Sequence, residues 1–175
     1  MDPRLDLISE AIREVPDFPK PGILFYDITT LLADAAAFSA TIDLLIERYR
    51  DRDIDHVVAI ESRGFIFGAP LAIALGRPLN ILRKPGKLPA DTDEVSYDLE
   101  YGSATLQIHR GELQAGGHAV IIDDLLATGG TAAAAIELVR RQGAEVTEVA
   151  FVIELADLGG RAKLEPAQVF SLLSR

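Results

Sequence analysis

The sequence has 175 residues, a length that suits one domain able to bury roughly 70% of the surface its unfolded chain exposes. It has no cysteine, which excludes thiol catalysis and thiolate metal sites, and its net charge of -10 disfavours nucleic acids and anionic membranes as partners. The N-terminus is charged and no apolar run approaches the roughly 20 residues of a membrane span, so we expect a cytoplasmic protein with a single domain over 1–175.

The first third of the chain alternates between helical and extended patterns. Amphipathic spacing predicts a helix over 4–14, and a proline-rich segment follows over 16–22. An apolar run then predicts an extended stretch over 23–26, and a second helical pattern covers about 36–49. After this point the patterns of strand and helix alternate regularly, which favours an α/β fold.

Two predicted strands end in groups that suit an anion. The apolar run over 57–60 predicts a buried strand that ends in Glu61-Ser62-Arg63-Gly64, before a helix over 65–75. A strand over 78–82 ends in the basic cluster Arg83-Lys84-Pro85-Gly86-Lys87. A solvated loop is the alternative for such a pentapeptide taken alone. Ligand sites of open parallel sheets lie at the carboxyl ends of the strands, which favours an anion site formed by both segments.

The pattern changes between Pro85 and about residue 110. Two short alternating runs, 95–101 and 104–109, are separated by Gly102-Ser103, which predicts a hairpin-like flap. Connections of this length inside a compact domain are usually lids or binding loops.

The most informative segment is 119–131. An apolar run over 119–122 predicts a buried strand that ends at Asp123 and Asp124, and a turn with the sequence Ala127-Thr128-Gly129-Gly130-Thr131 opens a predicted helix over 131–141. The alternative is an ordinary strand-to-helix turn with a threonine cap and two solvated acids. Further along, the patterns predict a strand over 147–154, a polar helix near 158–164 and a last strand over 168–172.

The chemistry of this segment suits a phosphorylated sugar. The backbone N–H groups of Thr128 to Thr131 would be unpaired at the positive end of the helix, where a phosphate monoester binds readily. Asp123 and Asp124 can only accept hydrogen bonds, so they suit the vicinal hydroxyls of a ribose. The three histidines, at 56, 109 and 118, have no metal-binding spacing and are interpreted as structural or surface residues.

Five segments resemble the type I phosphoribosyltransferase family, and in particular its adenine-specific members, in the order found in that family. They are 18–29, 61–68, 82–89, 96–102 and the sugar loop over 123–131. The resemblance extends from about Ile8 to Leu173. It implies a central mostly parallel sheet flanked by helices, with a flexible flap over about 85–110 and a small N-terminal hood.

The resemblance also implies a reaction. The 5-phosphoribosyl group of phosphoribosyl pyrophosphate would be transferred to adenine, giving AMP and pyrophosphate for purine salvage, in a homodimer. Mg²⁺ would be carried by the substrate, without a direct protein ligand. A ligand-sensing regulator on the same fold and a phosphoribosyltransferase for xanthine, hypoxanthine or orotate are the alternatives. A regulator usually adds a DNA-binding domain or a basic face. The choice of adenine over the other bases rests on the resemblance.

Residue roles follow from the same resemblance. Phe25 would stack on adenine while the backbone of Leu24 and Tyr26 reads its edge, although Tyr26 stands where members commonly carry a basic residue. Glu100 and Arg63 would be catalytic, with Tyr101 as the flap neighbour of Glu100. The implied pyrophosphate ligands are Glu61, Ser62, Arg63, Arg83, Lys84 and Lys87, with a Glu61–Ser62 peptide that is often cis in the family. The implied ligands of phosphoribosyl pyrophosphate are Asp123, Asp124, Ala127, Thr128, Gly129, Gly130 and Thr131.

Overall fold

A computed structural model describes residues 2–98 and 102–175, which form two compact units that divide between Arg48 and Tyr49. The predicted flap residues Glu100 and Tyr101 lie outside the described residues. The expectation of one domain over 1–175 stays a prediction.

The first unit contains a two-stranded sheet and three helices. Its elements are α1 (Pro3–Ala11), β1 (Arg13–Pro16), β2 (Leu24–Asp27), α2 (Thr29–Ala33) and α3 (Ala35–Tyr49), the last residue of which belongs to the second unit. The predicted end of the first helix at residue 14 is wrong. The backbone of Ile12 is extended, with φ -90° and ψ 124°, and it leads directly into β1, which pairs antiparallel with β2.

The second unit is built on a five-stranded sheet in which every described pair of neighbours is parallel, in the order β4, β3, β7, β8, β9. This confirms the predicted α/β fold. The sheet strands are β3 (His56–Ile60), β4 (Leu79–Leu82), β7 (His118–Leu126), β8 (Glu145–Glu154) and β9 (Val169–Ser174). The helices are α4 (Gly64–Leu75), α5 (Gly130–Arg141) and the short α6 (Gly160–Lys163).

The core of the second unit lies on the faces of this sheet. All five residues of β3 are buried, as in a parallel strand covered on both faces. Helix α4 packs closely against β3, because a Cβ atom at Gly68 would lie 2.7 Å from the Cβ of Ala59. Phe151 of β8 and Leu138 of α5 belong to the same buried cluster. In the described part of the chain no helix is long and apolar enough to cross a membrane.

The predicted hairpin is confirmed in its two strands. β5 (Thr92–Asp98) pairs antiparallel with β6 (Ser103–His109) in a sheet of its own. Leu106 and Ile108 of β6 are buried in the core, and Gln107 bridges to Arg83, directly after β4. The base of the hairpin is therefore part of the folded core, and the flexibility of the flap stays a prediction.

The three histidines have polar partners. His56 is buried, and its Nδ1 lies 3.0 Å from the side-chain oxygen of Asn80. His109 Nδ1 lies 2.9 Å from a carboxylate oxygen of Glu112. His118 is close to Asp53 and Asp55, and one ligand atom from each of these three side chains lies within 4.8 Å of the others. The sequence spacing did not indicate this group, which forms at the amino-terminal end of β7.

Candidate active site

Segments that follow three parallel strands meet at the carboxyl edge of the sheet. Ala59 of β3 pairs with Ile122 of β7, so the residues just beyond Ile60 are carried next to Asp123 and Asp124. Together they enclose a cleft of about 360 Å³. The predicted site residues that line it are Glu61, Ser62, Arg63, Lys84, Asp123, Asp124, Ala127, Thr128, Gly129 and Thr131.

Strand β7 is longer than its apolar run indicates. The strand predicted over 119–122, ending at the two carboxylates, is too short, because pairing with β8 continues from Asp123, opposite Phe151, to Leu126, opposite Glu154. Burial alternates along this extension: Asp123 is partly exposed and Asp124 is buried. The two carboxylates are therefore fixed on a strand instead of standing on a loop.

Arg63 partners the buried acid of this pair. Its Nε lies 2.8 Å from Oδ2 of Asp124, and the Asp124 side chain is only 5% exposed while that of Arg63 is 44% exposed. Among the described residues Asp124 Oδ2 receives no hydrogen bond of good geometry, so the contact is an ion pair. The guanidinium thus compensates a buried charge and still reaches solvent in the cleft.

In the acidic pair, the charged form of Asp123 is electrostatically unfavourable. Although the residue as a whole is partly exposed, desolvation of its carboxyl by the surrounding protein raises the pKa well above the usual range, and the neighbouring Asp124 carboxylate adds to this effect. The N–H of Asp124 donates to Asp123 Oδ1 over 2.9 Å, which acts in the opposite direction. The charge of Asp123 is therefore held at a free-energy cost that a hydrogen-bonding or cationic ligand would reduce.

Glu61 organises the basic cluster. The backbone N–H of Lys84 donates to Glu61 Oε2 over 2.8 Å, and Arg83 Nε donates to the same oxygen over 3.3 Å. Partial burial acts to raise the pKa of Glu61, but the Lys84 N–H and the Arg83 guanidinium outweigh it, and the pKa falls below its usual value. The Glu61–Ser62 peptide is cis, as the resemblance implied.

Two predicted anion ligands, Arg83 and Lys87, are not among the described residues that line the cleft. Arg83 is paired with Glu61, and its Nη1 lies 3.5 Å from the carbonyl oxygen of Lys87. The structure therefore gives Arg83 a bracing contact, while Lys84 lines the cleft itself.

The turn after β7 leads directly into a helix. Gly129 has φ 83°, a left-handed conformation that favours glycine, and α5 begins at Gly130, one residue before the predicted start. Within the described residues no backbone N–H from Thr128 to Thr131 donates a hydrogen bond, as expected at a helix N-terminus. These donors and the positive end of the helix dipole suit an anion.

Sequence reasoning did not identify two contacts that shape the site, one made by Tyr97 and one made by Gly64. The hydroxyl of Thr131 lies 3.2 Å from that of Tyr97, which places a strand of the hairpin against the start of α5. A Cβ atom at Gly64 would lie 2.6 Å from the carbonyl oxygen of Ile122, so only glycine lets the start of α4 approach β7 this closely. The signal for Gly64 was its position after Arg63 at the end of a buried strand, whereas nothing in the sequence placed Tyr97 beside Thr131.

The three residues assigned to adenine lie in the first unit, on β2. Leu24 is 43% exposed, and Phe25 and Tyr26 are partly buried. The ring of Phe25 meets that of Phe18 edge to face, with the ring centroids 5.1 Å apart. An exposed apolar and aromatic surface of this kind suits a flat heterocycle.

Comparisons with known proteins agree with this geometry. Residues 27–172 match the phosphoribosyl transferase domain family. The chain is 58% identical to the adenine phosphoribosyltransferase of Chloroflexus aurantiacus over 97% of this chain and 98% of that protein. It superposes on the adenine phosphoribosyltransferase of Thermoanaerobacter pseudethanolicus with a TM-score of 0.94, 48% identity and coverage of 98% and 99%. The Saccharomyces cerevisiae enzyme, complexed with an imino-altritol bisphosphate and adenine, gives a TM-score of 0.92 at 41% identity, with coverage of 98% and 99%.

The raised pKa of Asp123 predicts a pH-dependent effect of Asp123→Asn. A carboxyl whose pKa is higher in the folded state supports folding fully below its unfolded pKa and loses that contribution as the pH rises through the folded value. Asparagine does not titrate, so the variant avoids the stability that the native chain loses as the pH rises. The Tm of Asp123→Asn relative to the native chain should therefore be higher at pH 7.5 than at pH 4. Each kcal/mol corresponds to about 2–4 °C in Tm for a chain of this size. Thermal unfolding at both pH values measures it.

The exposed acid Asp91 supplies the matched control. Asp91→Asn should change the Tm by a similar small amount at both pH values. An equal change in Tm for Asp123→Asn at pH 4 and pH 7.5 would contradict the electrostatic account of this site.

Proposed function

The chain belongs to the phosphoribosyltransferase family, and we propose here how it carries out the reaction of the adenine-specific members that it resembles over nearly its whole length. It transfers the 5-phosphoribosyl group of phosphoribosyl pyrophosphate to adenine, giving AMP and pyrophosphate in purine salvage. The observation that carries the assignment of roles is the cleft itself, in which a glycine turn, two strand-borne carboxylates and a basic segment converge.

We propose that the turn over 127–131 binds the 5′-phosphate of the sugar substrate. The N–H groups at the start of α5, the threonine hydroxyls and the helix dipole all favour an anion there. Asp123 and Asp124 then lie beside it to accept hydrogen bonds from the ribose hydroxyls. These bonds would also reduce the cost of holding the Asp123 charge.

Arg63, Lys84 and the cis Glu61–Ser62 turn are proposed to bind the pyrophosphate group. Arg63 and Lys84 line the cleft, and a guanidinium can hold phosphate oxygens in a bidentate manner. Glu61 contributes less directly, because it fixes Arg83 and the Lys84 backbone in place. The role of Arg83 and Lys87 is also indirect, since Arg83 contacts Glu61 and the carbonyl of Lys87. Breaking the bond from the anomeric carbon to pyrophosphate leaves charge on the leaving group, and these cations stabilise it.

Magnesium is proposed to enter with the substrate. Mg²⁺ prefers oxygen ligands and keeps several waters, so the phosphate oxygens of phosphoribosyl pyrophosphate suit it without a dedicated protein cage. The residues of the cleft fit such a complex, because Asp123 lines it and its carboxylate can accept hydrogen bonds from metal-bound waters. Bound in this way, the ion would neutralise charge on the departing pyrophosphate. The Asp53, Asp55 and His118 group lies at the other end of β7.

Adenine is proposed to bind against Phe25, with the backbone of Leu24 and Tyr26 at its hydrogen-bonding edge. The exposed apolar surface of β2 supports this assignment. Glu100 would act as acid or base at the purine nitrogens, with Tyr101 beside it on the flap. A flap over the cleft excludes water that would otherwise capture the oxocarbenium-like sugar. A cytoplasmic location stays a prediction.

A homodimer is proposed on the evidence of α4. The sequence of this helix, GFIFGAPLAIAL, contains no charged residue, so it has no polar face of the kind that soluble surface helices present to water. Ile73 on this helix is 82% exposed. A large exposed apolar side chain on an uncharged helix is typical of a surface covered by a second subunit.

We predict that adenine is preferred over hypoxanthine and guanine by roughly a hundredfold or more in kcat/KM. A pocket that accepts a hydrogen bond from the exocyclic amine is left with an unpaired polar group when an oxo group replaces it. Pyrophosphate release with each base, in the presence of phosphoribosyl pyrophosphate and magnesium, measures the preference. Comparable turnover of hypoxanthine would remove the basis for the adenine site on β2.

Another prediction separates chemistry from binding on the flap. Glu100→Gln keeps the shape of the side chain but cannot exchange a proton, so the single-turnover rate with adenine should fall about 10²–10⁴-fold while both Michaelis constants change little. Tyr101→Phe is the neighbouring control and should retain most of the rate. If Glu100→Gln reacts in a single turnover as fast as the native chain, the carboxylate has no acid or base role.

The apolar face of α4 gives a prediction about association. Ile73→Asp places a charge on the proposed interface, and removing that charge from water opposes association. The variant should therefore be monomeric, or should dissociate at much higher protein concentrations than the native chain. Sedimentation velocity over a concentration series measures this. Leu158→Asp, at another exposed apolar position, should leave the association unchanged. An Ile73→Asp protein that associates as the native chain does would place the dimer interface elsewhere.

A further inference from the structure

The backbone of the phosphate turn is packed directly against a second segment of the chain. A Cβ atom at Gly160 would lie 2.2 Å from the carbonyl oxygen of Ala127, and a Cβ atom at Gly129 would lie 2.6 Å from the carbonyl oxygen of Gly160. Each glycine thus makes room for the main chain of the other segment. No side chain other than hydrogen fits at either position without moving the turn.

Arg161 fixes the segment that carries Gly160. Its Nε donates to Glu154 Oε1 over 2.9 Å, its Nη2 donates to the second carboxylate oxygen of Glu154, and its Nη1 donates to the carbonyl of Val169 over 2.7 Å. Ser171 donates to Glu154 over 2.7 Å. Arg161 therefore ties the start of α6 to the last residue of β8 and to the first residue of β9 through several hydrogen bonds of its planar guanidinium.

The same segment is also attached to β7 just before the phosphate turn. The backbone N–H of Leu155 donates to the carbonyl of Leu126 over 2.9 Å. The segment from Leu155 to Arg161 is thus fastened at both ends, at Leu126 and at Glu154, and Gly160 contacts the turn between Ala127 and Gly129. Its position determines where the carbonyl of Ala127 and the N–H groups that follow can lie.

We propose that Arg161 and Gly160 position the phosphate turn for its ligand, although neither touches the substrate. This inference rests on the proposed role of the turn as the 5′-phosphate site. An array of backbone N–H groups binds an anion well only when it is held in place beforehand, since ordering it on binding costs free energy. Arg161 is thus a positioning residue for the site of the 5′-phosphate and not for the site of the pyrophosphate group.

The test is Gly160→Ala, with ligands that divide the site. Ribose 5-phosphate and AMP carry the 5′-phosphate, whereas inorganic pyrophosphate is expected to bind at the Arg63 and Lys84 side of the cleft, as proposed above. The added methyl group must displace Ala127, so we expect the Kd for ribose 5-phosphate and AMP to rise about tenfold, which equals about 1.4 kcal/mol. The Kd for pyrophosphate, measured like the others by isothermal titration calorimetry, should change less than about twofold.

Gly159→Ala is the matched control. It adds the same methyl group one residue earlier, at a position where no atom lies within 4 Å of the new Cβ, although φ is +63°. It should lower the Tm without a selective effect on the phosphate ligands. Should Gly159→Ala weaken ribose 5-phosphate as much as Gly160→Ala, or should pyrophosphate weaken in parallel, the effect is general and the proposal fails.

Arg161→Lys keeps the proposal testable if Gly160→Ala does not fold. Lysine can pair with Glu154 but cannot bond Glu154 and Val169 together, so the KM for phosphoribosyl pyrophosphate should rise about three- to fivefold while kcat changes less than twofold. An unchanged KM overturns the positioning role. A native chain that fails to bind ribose 5-phosphate at all would instead refute the proposed function of the turn.

Discussion

The parallel register between β3 and β7 is the constraint on which the rest of the site depends. It places Ala59 beside Ile122, so the turn after β3 arrives at the two carboxylates of β7. Gly64 allows that turn to come within van der Waals contact of the β7 backbone, and Arg63 then reaches Asp124. A slip of this register would separate the cation from the buried acid and leave a charge uncompensated, which costs several kcal/mol.

The acids of the cleft position its bases. A chain with a net charge of -10 must bind a substrate with several phosphate charges, and its carboxylates would repel that substrate if they stood alone. Asp124 is instead paired with Arg63, and Glu61 holds both Arg83 and the backbone of Lys84. The guanidinium groups of Arg63 and Arg83 are consequently held before the anion arrives, which reduces the ordering that binding requires.

Most strands and the role of the sheet edge could be predicted from the sequence, because buried parallel strands read as apolar runs and ligands bind at their carboxyl ends. The end of β7 could not. Adjacent carboxylates normally mark the end of a buried strand, and this strand continues because Arg63 compensates Asp124 and β8 remains paired with it through Leu126. The first helix was predicted too long for a similar reason, since pairing with β2 overrides the helical pattern after Ala11.

What sequence patterns did not reveal is contact between main chains. Gly64 packs on β7 at Ile122, and Gly160 packs on the turn at Ala127, so the segment that carries both carboxylates and the phosphate turn is flanked by two glycines distant from it in the sequence. Neither glycine carries a charge or a hydrogen-bonding side chain, and neither has a positive φ that would mark it as conformationally required. Their requirement arises only from the close approach of another backbone. A search limited to reactive side chains finds the groups that meet the substrate and overlooks the contacts that hold those groups in place.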